Sequence, residues 1–188
     1  MRARWGELGE FQVQVAERWR VRAQRTDDPF ARFFFSFAAL NALYCFWSRV
    51  DEPRSADGSR RANELEQLDH LVSKLTEAEA LRVLTACATA LGYFRERRPI
   101  ERMDKRRASH VERGDKTEGE RFRGQLDAPS PLERVRGLAG IVYLVRSNLV
   151  HGSKMDVGDD EEVIRHAMPF LDGLVPEAIL AVRRWLDE

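Results

Sequence analysis

Residues 27–50 read DDPFARFFFSFAALNALYCFWSRV, and this stretch decides the fold. Asp27 and Asp28 offer carboxylates to the orphan N–H groups of a helix start, and Pro29 suits the first helical position because its missing N–H is not needed there. A helix is therefore predicted from about residue 30 to 49. It is apolar on nearly every side, with Ser36 and Asn41 as the interruptions between residues 33 and 47. That run falls short of the ~20 residues that span a bilayer. An all-round apolar helix in a water-soluble chain belongs at the centre of a bundle. The Phe33, Phe34, Phe35, Phe37 and Trp47 cluster is accordingly core, or an interface between copies, before it is a platform for bases.

The flanking segments supply the partners such a helix needs. Phe11, Val15, Trp19 and Val21, interleaved with Glu17, Arg18, Arg20 and Arg22, predict a first amphipathic helix ending near Thr26. After a turn around Pro53, Leu65, Leu68, Leu71, Val72 and Leu75 recur at helical spacing and predict a third helix from Arg60. Thr76 followed by Glu79 is a capping box. The helix it opens has Leu81, Val83, Leu84, Cys87 and Leu91 as its buried side. Ser130, Pro131 and Glu133 open a fifth helix that runs to about Val150, with Gly152 as a natural residue just beyond its end. Asp159 or Asp160 caps a last helical stretch that Pro169 and Pro176 kink or divide. No period-two strand and no internal repeat is present. The expectation is an all-α, up-and-down bundle of four to six helices forming one domain over residues 1–188.

Composition excludes several classes of function. Lys and Arg together number 31, as do Asp and Glu, so the formal charge is zero. A protein that coats a polyanion by bulk charge carries a large basic excess, and this one does not. With 43% hydrophobic and 33% charged residues the chain is globular. Cys45 and Cys87 have no second Cys or His at ligand spacing, nor do His70, His110 and His166, so no metal site is expected. The cysteines predict reduced thiols and a cytoplasmic protein. Residues 1–10 lack the apolar core of a secretory leader, and no membrane association is expected.

Around residues 95–129 the pattern changes. From 95 to 123 there are 11 basic and 7 acidic residues and few large apolar ones, which predicts a charged, mobile insertion. Arg97, Arg98, Lys105, Arg106 and Arg107 are its densest cationic clusters. They read either as a solvated surface or as an arm that holds nucleic-acid backbone.

The stretch that carries chemistry is VRSNLVHGSK at residues 145–154, where an apolar helix ends in Arg146, Ser147, Asn148, His151 and Lys154. On an ideal helix Arg146 and His151 stand about 140° apart. Meeting at one phosphate then requires the long Arg stem, an unwound last turn, or a second copy of the helix across a two-fold axis.

This stretch resembles the HEPN superfamily (higher eukaryotes and prokaryotes nucleotide-binding domains), whose signature is Arg, four to six residues, then His. The wider string is similar to the Arg-polar-Asn-Leu-apolar-His-Gly-x-Lys form of stand-alone prokaryotic members. Phe37 to Tyr44 is likewise similar to the Asn-Ala-Leu-Tyr/Trp helix of that group. The position after the Arg is most often Asn, Asp or His in catalytic members, and it is Ser147 in this chain.

The resemblance implies a homodimeric, metal-independent endoribonuclease of a prokaryotic defence or toxin-antitoxin type, without cofactor, with an antitoxin or regulatory protein as a further partner. Residue chemistry suits that activity. Arg146 offers permanently charged planar donors to phosphate oxygens. His151 has an unperturbed pKa near 6.5 and can accept or give a proton at neutral pH. Asn148, Ser147, Lys154 and Asn41 are the expected substrate-positioning groups. Two alternatives stand beside it: an inactive HEPN-like module that binds RNA, a nucleotide or a partner protein, and a plain helical interaction protein.

Overall fold

The computed structural model describes residues 2–52, 58, 60–100, 117–150 and 157–188. Among them the chain forms eight helices and no strand: α1 (Arg2–Gln24), α2 (Pro29–Val50), α3 (Glu64–Val72), α4 (Glu77–Ala86), α5 (Ala88–Glu96), α6 (Glu118–Gln125), α7 (Pro131–Val150) and α8 (Val157–Asp187). The protein is an all-α bundle, with more helices than the four to six expected.

At the centre lies α2, packed by α1, α3 and α8. Its start is as predicted: Asp28 has extended backbone, its side chain accepts from the Ala31 N–H at 2.6 Å, and Pro29 follows. Phe33, Phe37, Leu40, Leu43, Tyr44, Phe46 and Trp47 are buried along it, whereas Phe34 and Phe35 are only half-buried. At 22 residues α2 is longer than the apolar run 33–47, and by length and composition it can cross a bilayer. Of its most apolar window, however, 56% is buried inside the bundle. That burial is the signature of a core helix, whose apolar surface other helices already cover.

Four boundaries differ from the sequence expectation. The third helix begins at Glu64 rather than Arg60, because Asn63 and Glu66 form a reciprocal capping box there. The helix after Thr76 starts as predicted but breaks at Cys87, whose φ of −116° and ψ of 28° leave the helical region, so it becomes α4 and α5. Within it Leu81 is 55% exposed rather than buried. The last helix starts at Val157, ahead of Asp159 and Asp160, and continues unbroken through both prolines. Pro169 and Pro176 are two turns apart, so the two missing N–H donors fall on one half-exposed face of α8. The opposite side, including Phe170, Leu171, Leu174, Val175 and Ala178, is packed in the core.

The charged stretch 95–129 is not a structureless insertion at its two ends. Arg95 donates to the Leu126 carbonyl at 2.5 Å and pairs with Asp127 at 3.0 Å, while Arg123 donates to the Arg95 carbonyl at 3.0 Å. Between these stitches lies α6, opened by a Thr117–Glu120 capping box. Phe122 of α6 rests on Gly140 of α7, where a Cβ would come within 2.5 Å of the ring, and a Cβ at Gly137 would come within 2.7 Å of the Phe122 carbonyl oxygen. Only because those two residues lack side chains can α6 lie flat on α7. Residues 101–116, with Lys105, Arg106, Arg107 and His110, lie outside the described residues.

Candidate functional site

Arg146 stands on α7 just ahead of its last turn, and the helix stays regular through Val150, so the final turn after Arg146 is not unwound. His151 and Lys154 lie outside the described residues. The Arg146 side chain turns toward α2 and α3. Its Nη1 donates to Glu64 Oε2 at 2.9 Å, and its guanidinium sits over the Phe37 ring with the carbon 5.5 Å from the centroid. A cation on an aromatic face is electrostatically favourable, and it covers a phenylalanine that solvent would otherwise reach.

The other oxygen of the same carboxylate is also occupied. The Tyr44 hydroxyl donates to Glu64 Oε1 at 2.6 Å. Burial pushes the Tyr44 phenol up, and the adjacent Glu64 charge pushes it further, so it remains a protonated donor at any physiological pH. Three helices thereby meet at one carboxylate: Tyr44 from α2, Glu64 from α3 and Arg146 from α7. Glu64 follows the capping residue Asn63 directly, and the N-terminal backbone is served by Glu66, which leaves the Glu64 side chain for this contact. An acid at the first helical position that the capping box does not use is the sequence signal for it.

Ser147 and Asn148 are turned into the protein, at 5% and 3% exposure. Asn41 is half-buried on α2, one turn from Phe37, and its Oδ1 accepts from the Cys45 thiol at 3.0 Å. Burial raises the Cys45 thiol, Arg49 lowers it and Glu64 raises it, with a net upward direction that keeps it protonated. Cys87 is buried, also upward-shifted to about 12, and both cysteines are free thiols. The structure therefore brings Arg146 onto Phe37 of α2, one turn from Asn41, and buries Ser147 and Asn148.

Arg97 and Arg98 sit elsewhere, beyond the end of α5. Arg97 donates to the Tyr93 hydroxyl and lies 5.4 Å over the Tyr93 ring, which in turn stacks on His166 with centroids 3.7 Å apart. Arg98 is exposed. His70 pairs with Asp51 at 2.9 Å. Among the described residues no group of three or more His, Cys, Asp or Glu side chains is gathered to hold a metal ion.

What the site offers chemically is an anchored guanidinium at a helix end. Arginine has five N–H donors in a fixed plane; one is bound to Glu64, and among the described residues Arg146 has no second carboxylate partner. Compared with known proteins, the chain matches no family model, no curated protein and no solved structure.

Proposed function

We propose that this protein is an HEPN-like, metal-independent endoribonuclease of a prokaryotic defence or toxin-antitoxin type. It cleaves single-stranded RNA in the cytoplasm as a homodimer, restrained by an antitoxin or regulatory protein. The observation that carries this is Arg146, held by Glu64 over Phe37 just ahead of the last turn of α7, five residues before His151. The Glu64 contact and the Phe37 ring fix the guanidinium while leaving it 24% exposed. A preorganised guanidinium stabilises phosphate charge without reorienting during the reaction.

In this mechanism the RNA 2′-oxygen attacks the adjacent phosphorus and the bond to the 5′-oxygen breaks, leaving a 2′,3′-cyclic phosphate and a 5′-hydroxyl. Arg146 donates to the non-bridging oxygens as their charge rises. One His151 takes the 2′-proton, and His151 of the second copy gives a proton to the departing 5′-oxygen. Glu64 and Tyr44 hold the guanidinium in place. Lys154, three residues after His151 in sequence, and Asn41, one turn from Phe37 on α2, position the RNA strand, and the clusters Arg97, Arg98, Lys105, Arg106 and Arg107 hold its backbone. The test is cleavage of single-stranded RNA in EDTA: the proposal expects those product ends, and loss of them in both Arg146→Ala and His151→Ala. Cleavage by the variants equal to wild type contradicts it.

The second reading is an inactive module of the same fold that binds RNA, a nucleotide or a partner protein. The burial of Ser147 and Asn148 favours it, because positions expected to touch substrate face inward. RNA binding without cleavage, undisturbed by His151→Ala, selects that reading.

A further inference from the structure

Beside the Arg146 cluster a groove of about 540 Å³ opens between the start of α1, the end of α2 and α3, lined by Trp5, Leu8, Cys45, Ser48, Arg49, Glu52, Arg61 and Gln67. We infer that this groove is a nucleotide-binding subsite of the same RNA site, holding a base against Trp5 and Leu8 and a neighbouring phosphate with Arg49 and Arg61. The inference rests on the proposed RNA activity.

Three observations carry it. The first is continuity. Phe37, Asn41, Cys45 and Arg49 follow one another at four-residue spacing and form one ridge of α2. At its near end Arg146 covers Phe37, in the middle the Cys45 thiol donates to Asn41, and at the far end Cys45 and Arg49 line the groove. The ridge is about 18 Å long by helical rise, which is the scale of a few nucleotides of extended strand rather than of a single phosphate. Glu64 bridges the two ends electrostatically, since it bonds Arg146 and its charge also reaches the Cys45 thiol.

The second is the state of the two cations. Arg32, Arg60, Arg82, Arg95, Arg136, Arg146, Arg165, Arg183 and Arg184 each pair with a carboxylate. Arg49 and Arg61 are exposed, and among the described residues neither has a carboxylate partner, although Glu52 lines the same groove. Two exposed guanidinium groups at one cavity, neither with a carboxylate partner among the described residues, mark a place for an anion.

The third is the wall chemistry. An indole, an apolar side chain, a hydroxyl and an amide together suit a flat heteroaromatic ring with polar edges. The volume lies within the range of small-molecule sites and is too small to seat a partner helix. Aromatic and arginine side chains are the recurrent means of holding single-stranded bases and backbone.

The experiment is equilibrium binding of a labelled, mixed-sequence 2′-O-methyl RNA oligonucleotide, which has no free 2′-hydroxyl to react, as a function of salt. The double variant Arg49→Gln/Arg61→Gln is compared with wild type, with thermal melting as the check on folding. The expected result is a loss of affinity of about tenfold or more, with the slope of log K against log salt shallower by about two, one for each phosphate contact removed. Trp5→Ala lowers affinity without changing that slope. Wild-type protein that binds and cleaves RNA, with the double variant matching it in affinity and slope, overturns the subsite and leaves the RNase proposal standing. Wild-type protein that neither binds nor cleaves RNA overturns the RNase proposal, and the subsite with it. An equal loss of binding to a polyglutamate peptide assigns the groove to an acidic protein segment and also overturns it.

Discussion

Arg184 on α8 and Arg146 on α7 both end at a carboxylate, and the two surroundings differ in what is left over. Arg184 donates to Glu79 and, at 2.8 Å, to the Lys74 carbonyl at the end of the α3 segment. Glu79 is the acid of the α4 capping box, accepting from the N–H of the capping residue Thr76 at 2.7 Å and from its hydroxyl at 3.0 Å. On the same seam Arg82 grips Glu177 through two 2.8 Å bonds, and a Cβ at Gly173 would stand 3.2 Å from the Ala86 side chain, so the glycine lets α8 pack closely on α4. Every polar group there does structural work. At the other end Glu64 caps nothing, Arg146 has no second carboxylate partner among the described residues, and the aromatic beneath it is a cover rather than a clamp. A carboxylate shared with a helix cap marks an arginine that holds the fold, and one released from capping marks an arginine free to meet a ligand.

Substitutions at the two arginines break this contrast most sharply. Arg146→Ala is expected to lower RNA cleavage by about 10²–10³-fold or more, with His151→Ala equally severe, while the melting temperature stays within a few degrees of wild type. Arg184→Ala does the reverse. It takes the charged partner from the buried Glu79 carboxylate, which keeps its Thr76 donors, and costs about 2 kcal/mol. That amounts to roughly 4–8 °C in a chain of this length, with cleavage per folded molecule unchanged.

A middle-sized effect sharpens the role of Glu64. Glu64→Gln keeps an acceptor for Tyr44 and removes the charge that fixes the guanidinium, so cleavage falls roughly tenfold through misplacement of the donor, well short of the loss in Arg146→Ala. Gly140→Ala probes the α6 seam apart from the site. Its new methyl meets Phe122, overpacking costs about 1–3 kcal/mol, and melting, not cleavage per folded molecule, registers it.

Acid gives the smallest effect. Burial works against the Glu79 charge, but the Thr76 N–H and Arg184 outweigh it, and its carboxyl lies below the usual range. Asp51 is lowered in the same way, with Lys74 and His70 outweighing burial. Carboxyls with depressed native pKa values add stability that is complete above the ordinary carboxylate range, near pH 4–4.5, and is lost as pH falls through the lower native values. Denaturant midpoints between pH 7 and 3 should be flat and then drop below about pH 4.5, and the drop should shrink in Arg184→Ala, where Glu79 no longer has its partner.

Much of the bundle was legible because the signals were local. Asp28 and Pro29 mark the start of α2, Thr76 and Glu79 mark α4, and the all-round apolarity of α2 forces it to the centre. The break at Cys87 was not legible, since the apolar spacing of Val83, Leu84, Cys87 and Leu91 runs straight across it. Nor was α6, whose one large apolar residue, Phe122, finds its seat on Gly137 and Gly140 of another helix. At the site, Arg146 stood out as a charge ending an apolar helix. Its partner Glu64 lies 82 residues earlier, and their contact depends on α3 beginning at Glu64 rather than at Arg60, a register set by Asn63 that periodicity alone did not reveal.

The most direct test of the contrast is cleavage of end-labelled single-stranded RNA in EDTA by wild type, Arg146→Ala and Arg184→Ala at one folded concentration. Wild type and Arg184→Ala should release 2′,3′-cyclic phosphate and 5′-hydroxyl ends at matching rates, while Arg146→Ala remains folded and releases none. Equal cleavage by folded Arg146→Ala, or none by wild type, contradicts the account.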